Sequence, residues 1–180
     1  AILAARRIAR REPRPNHDAA WLAVGLAAVA VLSFSVARSD ARLAASARDA
    51  ARELVGEYRS AGRDVWFQGH WGFQYYAQAL GAKPLQRGAA LPADAILLAP
   101  RNNSYRWPID VPMLAKRTFE GPTWCATMNS AVGAGFYAST WGPLPFAFGA
   151  VSPETYAVYE SPAASSPART RTRAKAVVGK

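Results

Sequence analysis

The chain has 180 residues and a formal net charge of +10, from 22 Lys and Arg against 12 Asp and Glu. Most of this charge lies at the ends, since residues 1–18 carry +3, residues 161–180 carry +5 and the long middle part carries only +2. A nearly balanced middle part lacks the basic stripe with which proteins follow a phosphate backbone, which argues against nucleic-acid binding. The single cysteine, Cys125, excludes an internal disulfide and a cysteine-based zinc site.

The first 18 residues are rich in arginine, with Arg6, Arg7, Arg10, Arg11 and Arg14. A short apolar stretch, residues 1–5, precedes these arginines without an initiating methionine and is similar to the end of an earlier apolar helix. We therefore expect residues 1–18 to form a basic cytoplasmic loop that follows a preceding membrane helix. We also expect the chain to be a piece of a longer protein.

The next segment is an uncharged, mostly apolar run, AAWLAVGLAAVAVLSFSVA, from Ala19 to Ala37. As a helix, this run would be about 28 Å long, which matches a hydrocarbon core of about 30 Å. It predicts a transmembrane helix over residues 19–38. Two alternatives are a secretory signal peptide, whose apolar core is typically about 7 to 15 residues long, and a buried core helix.

The arginines ahead of the apolar run predict its orientation. Basic flanks stay on the cytoplasmic side of a membrane. The folded domain expected over residues 39–160 would then face the periplasm or the exterior of a bacterial inner (plasma) membrane.

The first half of this domain shows alternating helix and strand patterns. Apolar residues recur at helical spacing from Leu43 to Tyr58 and predict an amphipathic helix that continues from the membrane helix. Residues 64–68 predict a strand, residues 71–80 a helix, and residues 95–99 a strand covered on both faces. The order predicts an α/β fold, with one N-terminal transmembrane helix followed by a small three-layer-like α/β domain with a mainly parallel sheet.

The second half of the domain has weaker patterns. Residues 114–119, 124–128 and 135–138 are candidate strands. Residues 140–149 are apolar but broken by Pro and Gly, which predicts an exposed hydrophobic loop near the bilayer.

The end of the chain carries two further signals. Ser152-Pro153-Glu154 has the residue types of a helix start, and residues 156–160 predict a closing turn or strand. Residues 161–180 are small, polar and basic, and predict a disordered basic tail.

No catalytic motif is present in the sequence. It lacks a phosphate-binding loop, a dinucleotide fingerprint and a nucleophile elbow, and no spacing pairs Asp110 with Glu120 as a general acid and base. His17 lies in the predicted cytoplasmic loop, so it cannot join His70 in one metal site. We expect no catalytic residue, metal site or cofactor in this chain.

Ligand-contacting candidates come from a concentration of aromatic residues. His70 falls at a strand-to-helix turn, at the carboxyl end of a strand, where open α/β sheets bind ligands. Tryptophan and tyrosine combine an apolar ring face with a polar group and stack on sugars. The candidates are His70, Trp71, Gln74, Tyr75, Trp107 and Trp141. Ordinary structural packing is the alternative for each of them.

Three segments carry a resemblance to a known family: VWFQGHWGFQYYAQALGAKPL (Val65–Leu85), the apolar strand after Pro92-Ala93-Asp94, and GAGFYASTWGPLPFAFG (Gly133–Gly149). Over residues 20–160, the chain resembles the C-terminal part of bacterial membrane glycosyltransferases of the family 39 or dolichyl-phosphate-mannose mannosyltransferase-like type. The most specific pieces are the GHWGFQYY turn at residues 69–76 and the GFY stretch at residues 135–137.

This resemblance implies a function. In that family, many membrane helices precede, in some members, a compact extracytoplasmic α/β domain, and a sugar is transferred from a polyprenyl-phosphate donor. The family's catalytic acid lies in an early extracytoplasmic loop that has no counterpart in this chain, so no catalytic residue is carried over. The resemblance implies a terminal membrane helix with a periplasmic accessory domain. Its partners would be membrane lipid, a polyprenyl-phosphate sugar donor and a glycan or lipid acceptor. The alternative is a single-pass, membrane-anchored carbohydrate- or protein-binding module without catalytic activity.

Overall fold

The computed structural model describes residues 17–102 and 104–163. Most of the predicted cytoplasmic loop and most of the predicted disordered tail lie outside these residues. The described residues fall into two compact units. The first unit contains residues 17–43 and 121–152, and the second contains residues 44–120 and 153–163.

A single helix, α1 (His17–Ser60, 44 residues), runs through the predicted membrane segment and beyond it. The predicted continuity of the two helical segments is thus confirmed. The most apolar 18-residue window of α1 has a mean hydropathy of 2.2, and none of it is buried. Trp21 and Phe34 are 73% and 69% exposed. The helix is therefore long and apolar enough to cross a membrane, and its exposure argues against the core-helix alternative.

The second unit is built on a five-stranded sheet. Its elements after α1 are β1 (Asp64–Phe67), α2 (Trp71–Ala79), β2 (Lys83–Pro84), β3 (Ala95–Pro100), β4 (Met113–Phe119) and β9 (Glu154–Glu160). The strand order is β2-β1-β3-β9-β4. Strand β1 is parallel to β2 and β3, whereas β9 is antiparallel to β3 and β4. The sheet is therefore mixed, which corrects the expectation of a mainly parallel sheet.

Strand β9 also replaces the helix start predicted at Ser152-Pro153-Glu154. The capping residue types are present, but Glu154 begins a strand. The sequence that follows alternates, so that Tyr156 and Val158 join the core, and β9 obtains backbone hydrogen bonds from both neighbours. Pairing on both sides satisfies more backbone groups than one isolated turn of helix could. Tertiary structure therefore decides the conformation of this segment.

The core of the second unit lies between the sheet and the two helices. It contains Ala50, Ala51, Leu54 and Val55 of α1, Phe73 and Ala77 of α2, and alternate residues of β1, β3 and β9. Alternate strand residues share one face, so both helices pack on the same face of the sheet. This arrangement corrects the expected three-layer-like organisation, in which helices would cover both faces.

The first unit consists of the apolar half of α1 and a segment made mostly of short elements. These are β5 (Cys125–Ala126), β6 (Met128–Asn129), β7 (Ala134–Gly135) and β8 (Ala147–Phe148), with 3-10 turns at Ser130–Val132 and Ser139–Trp141. Strand β5 pairs with β8, and β6 with β7. The candidate strands at residues 124–128 and 135–138 are thus shorter than predicted.

Side chains just after the apolar run hold this segment to α1. Ser39 Oγ donates a hydrogen bond to the Cys125 carbonyl oxygen. Asp40 accepts hydrogen bonds from Thr127 Oγ1 at 3.2 Å and from Tyr137 Oη at 2.6 Å. These bonds fix the segment beside the end of the apolar run.

Truncation of the central strand tests the core. Leu98 on β3 is fully buried in the core cluster. We expect Leu98→Ala to lower the free energy of unfolding by about 2 to 5 kcal/mol, because it removes buried methyl groups and leaves a cavity. The matched change Leu114→Ala, at a half-exposed position of β4, should cost less than about 0.5 kcal/mol. Chemical denaturation in detergent, followed by circular dichroism, measures both, and equal losses would contradict the core described here.

Candidate binding site

The carboxyl ends of β1 and β3 lie side by side, because the two strands are parallel neighbours in the sheet. The chain leaves β1 through α2 to β2 on one side and leaves β3 toward β4 on the other side. In open α/β sheets, the ends of adjacent parallel strands whose connections diverge in this way are a typical position for ligands. The segments that follow the two strands, starting at Gln68 and Arg101, border this edge of the sheet.

Gln68 is a buried polar residue at this edge. Its side chain is 1% exposed, yet neither Nε2 nor Oε1 has a hydrogen-bond partner among the residues that the structure describes. Val65 and Phe67 belong to the core cluster, so the alternation of a strand directs Gln68 to the opposite face of the sheet. A buried amide without partners is costly, which marks this position as a candidate for contacting a polar ligand.

Gly69 brings the two bordering segments together. Its φ is +117°, a conformation that residues with a side chain rarely adopt. A Cβ at this position would lie 3.0 Å from Pro100 Cγ and 3.0 Å from Ser104 Oγ. The backbone at residue 69 therefore passes against the segment after β3, and glycine is the residue that fits.

Four of the six predicted contact residues lie together at the start of α2. His70 is the N-cap, without a side-chain capping hydrogen bond, and its ring centroid lies 6.4 Å from that of Trp71. Trp71 and Tyr75 are 50% and 69% exposed, and Gln74 is half-buried. The structure thus places these four residues on one short, largely exposed surface.

A cavity of about 410 Å³ lies in the same unit, between residues 85–91 and 107–111. This volume is within the range of small-molecule sites, about 300 to 1,000 Å³. Leu85, one of the lining residues, donates its backbone N–H to the Phe67 carbonyl oxygen at 2.9 Å. One wall of the cavity is therefore attached to the end of β1, next to Gln68.

Trp107 and Asp110 give this cavity its chemical character. The indole Nε1 of Trp107 is buried and has no hydrogen-bond partner within residues 17–102 and 104–163. Asp110 is exposed and lines the same cavity, among mostly apolar neighbours. The ring of Trp107 and the carboxylate of Asp110 suit a sugar, whose C–H face stacks on a ring while its hydroxyls make hydrogen bonds. We name this cavity, lined by residues 85, 88–91 and 107–111, the Trp107 cleft.

The sixth predicted residue, Trp141, belongs to the first unit, where it ends a 3-10 turn and is half-buried. Two residues that the structure brings to attention were not among the candidates. The sequence predicts Asp110 to be a solvated surface acid, because its position three residues after Trp107, in a loop-like segment, does not indicate a cavity. Gln68 had one usable signal, an amide residue at the end of the otherwise strand-like run DVWF.

Two residues with perturbed ionisation have structural roles outside the cleft. Hydrogen bonds from Lys83 lower the pKa of Asp64, at the amino end of β1. Burial raises the pKa of Tyr156, which packs against Phe73 and Phe119 in the core. Both contacts hold the sheet together and do not mark an acid–base pair.

Comparisons with protein-family models, with curated proteins and with solved structures find no match to this chain. Within the described part of the chain, no group of three or more His, Cys, Asp or Glu side chains could hold a metal ion.

Replacement of Gly69 tests the geometry at the end of β1. Gly69→Ala would strain the backbone and press a Cβ against Pro100 and Ser104, so we expect a loss of about 1 to 3 kcal/mol in the free energy of unfolding. Gly56→Ala is the control, because Gly56 is helical with no atom within 4 Å of the added Cβ. That change should stabilise the protein by about 0.5 to 1 kcal/mol. Denaturation midpoints measure both, and a neutral Gly69→Ala would refute the close approach.

Proposed function

We propose that this chain is the terminal membrane helix and extracytoplasmic accessory domain of a polyprenyl-phosphate-sugar-dependent glycosyltransferase, and that it contacts sugar in the Trp107 cleft. The observation that carries the proposal is the composition of this cleft, which is lined by the aromatic residue Trp107 and the acidic residue Asp110. The cleft would bind the sugar of the lipid-linked donor or of a glycan acceptor. Catalysis would be supplied by another part of the enzyme.

Two further features support the proposal. The exposed apolar half of α1 gives the chain a means of attachment to the bilayer in which a lipid-linked donor lies. The segments from Val65 to Leu85 and from Gly133 to Gly149 carry the resemblance to the glycosyltransferases, and both fall within the described residues. The class of reaction comes from this resemblance, whereas the cleft supplies the reason for expecting sugar.

A membrane-anchored carbohydrate- or protein-binding module that works apart from any transferase is the second candidate. The exposed rings of Trp71 and Tyr75 at the start of α2 favour it, because such rings also form protein interfaces. The two candidates differ in ligand. The first requires a sugar joined to a polyprenyl phosphate or its acceptor, and the second accepts a free glycan or a protein.

Sugar binding by the whole chain tests the proposal. In lipid nanodiscs, the chain should bind a water-soluble, short-chain polyprenyl-phosphate hexose, detected by saturation-transfer NMR and titration. Trp107→Ala should weaken binding roughly tenfold or more, equivalent to about 1.4 kcal/mol, because it removes the aromatic ring on which a sugar would stack. Asp110→Asn should weaken binding by a smaller factor.

Tyr105→Ala is the matched control for the loss of an aromatic ring. Tyr105 is 59% exposed, lies two residues from Trp107 and does not line the cleft. Its replacement should leave affinity unchanged. Absence of sugar binding across a panel of hexoses, or equal binding by Trp107→Ala and the parent chain, would refute the proposal. Binding of free glycans alone would favour the second candidate.

The predicted orientation has its own test. In a Cys125→Ala background, a cysteine placed at the exposed Gln78 should react with a membrane-impermeant maleimide in intact cells. A cysteine at Pro13, in the predicted cytoplasmic loop, should react only after the membrane is permeabilised. The reverse pattern would place the domain on the cytoplasmic side. Release of the chain from membranes without detergent would refute the anchor.

A further inference from the structure

A groove of about 400 Å³ lies in the first unit, between α1 and residues 127–146. Leu32, Val36 and Asp40 line it from α1, and Phe136, Tyr137 and Phe146 line it from the other side. Leu32 and Val36 belong to the last turns of the apolar run, whereas Asp40 follows the end of that run. At about 1.5 Å per residue, the groove extends about 12 Å along α1.

The groove changes from apolar to polar along this length. The part of the groove beside Leu32 and Val36 is also lined by Pro145 and Phe146. At its other end, the Asp40 carboxylate accepts hydrogen bonds from Tyr137 Oη and Thr127 Oγ1. Tyr137 therefore keeps its proton, since this carboxylate raises the pKa of Tyr137. Such a gradient matches a lipid, with an acyl chain beside the apolar part and a headgroup beside the polar part.

Exposed aromatic residues of the same unit indicate where the bilayer surface would lie. Trp124 and Phe148 stack with their ring centroids 5.3 Å apart, and each is about half exposed. The backbone carbonyl oxygen of Cys125, next to Trp124, accepts a hydrogen bond from Ser39, which lies two residues beyond the apolar run. Tryptophan residues that lie close to the end of a membrane-spanning helix are typical of the membrane–water interface. The groove therefore opens at the depth where acyl chains meet headgroups.

The charge at the polar end selects among headgroups. Asp40 is the charged residue that lines the groove, while Arg38 and Arg42 line a separate narrow crevice beside Trp124. A carboxylate has about four acceptor positions, so it can accept further hydrogen bonds beside those from Tyr137 and Thr127. A primary ammonium headgroup complements this carboxylate and can donate N–H hydrogen bonds to it, which a trimethylammonium headgroup cannot do. A phosphate monoester headgroup would be repelled by the carboxylate.

From this geometry we infer that the groove between α1 and residues 127–146 is a binding site for one bilayer phospholipid, phosphatidylethanolamine, with its acyl chain beside Val36 and its ammonium group beside Asp40. This inference rests on the membrane attachment in the proposed function, but not on sugar binding. A lipid held there would fill the space between α1 and the segment that Ser39 and Asp40 bind. It would thereby seat this unit on the membrane surface.

Lipid retention tests the inference. The full chain, purified in mild detergent, should retain phosphatidylethanolamine in native mass spectrometry, and should prefer it to phosphatidylcholine with the same acyl chains. Val36→Trp should reduce retention roughly tenfold, because the indole occupies the groove. Leu26→Trp is the matched control, since Leu26 lies on α1 and is 62% exposed but does not line the groove. Equal retention by the two variants would refute the site and indicate only the general lipid layer.

Headgroup choice is tested with two further variants. Asp40→Asn should abolish the preference for phosphatidylethanolamine, whereas Tyr137→Phe should keep it, because the carboxylate remains. Loss of preference in both variants would refute the role of the Asp40 charge. If a polyprenyl phosphate displaced the bound phosphatidylethanolamine and was retained more strongly, this result would also overturn the inference.

The same samples separate this inference from the proposed function. Sugar titration of Val36→Trp should match that of the parent chain, because the Trp107 cleft belongs to the other unit. A chain that retains lipid but binds no sugar would refute the sugar proposal alone. A chain that binds sugar while Val36→Trp and Leu26→Trp retain the same lipid would refute the groove alone.

Discussion

The helix α1 is exposed along its apolar first part and buried along its last part, and each compact unit is built on one of these parts. The first part of α1 presents apolar side chains on every side, with none of its most apolar window buried, whereas Ala50, Ala51, Leu54 and Val55 are fully buried against the sheet. The small residues Ala50 and Ala51 let the helix approach the strands closely. Arg117 on β4 adds ion pairs to Glu53 and Glu57 on its outer side.

The two units use this helix differently. In the second unit, α1 packs a hydrophobic stripe on the face of the sheet that carries Val65 and Phe67. Burial of apolar surface stabilises this contact. In the first unit, polar side chains at Ser39 and Asp40 hold a segment whose own strands are only two residues long. Such short strands satisfy few backbone groups by themselves. Their conformation depends instead on the side-chain bonds to the helix and on tight backbone approaches, as at Gly142, where a Cβ would overlap Gly133.

The sequence predicted those helices and strands whose conformation is determined by residues close together in the chain. The helix over residues 71–80 and the strands near residues 64–68 and 95–99 were predicted within one or two residues, since apolar spacing and flanking glycines determine them. The conformation of Glu154–Glu160 was predicted wrongly, because its two partners are distant in sequence and a capping motif cannot report on them. The same reason explains the candidate site. Trp107 could be proposed from its residue type, but its neighbours Asp110 and Leu85 become meaningful only when the fold brings them to one cavity.

The position of β9 has a consequence for biogenesis. This strand fills the gap between β3 and β4, although 34 residues separate it from the end of β4 and its own last residue is Glu160. Until β9 emerges, the edges of β3 and β4 that later pair with it have no hydrogen-bonding partner. Completion of the sheet must therefore wait until Glu154–Glu160 has been synthesised. A nascent chain of this kind depends on protection of its open strand edges during that interval.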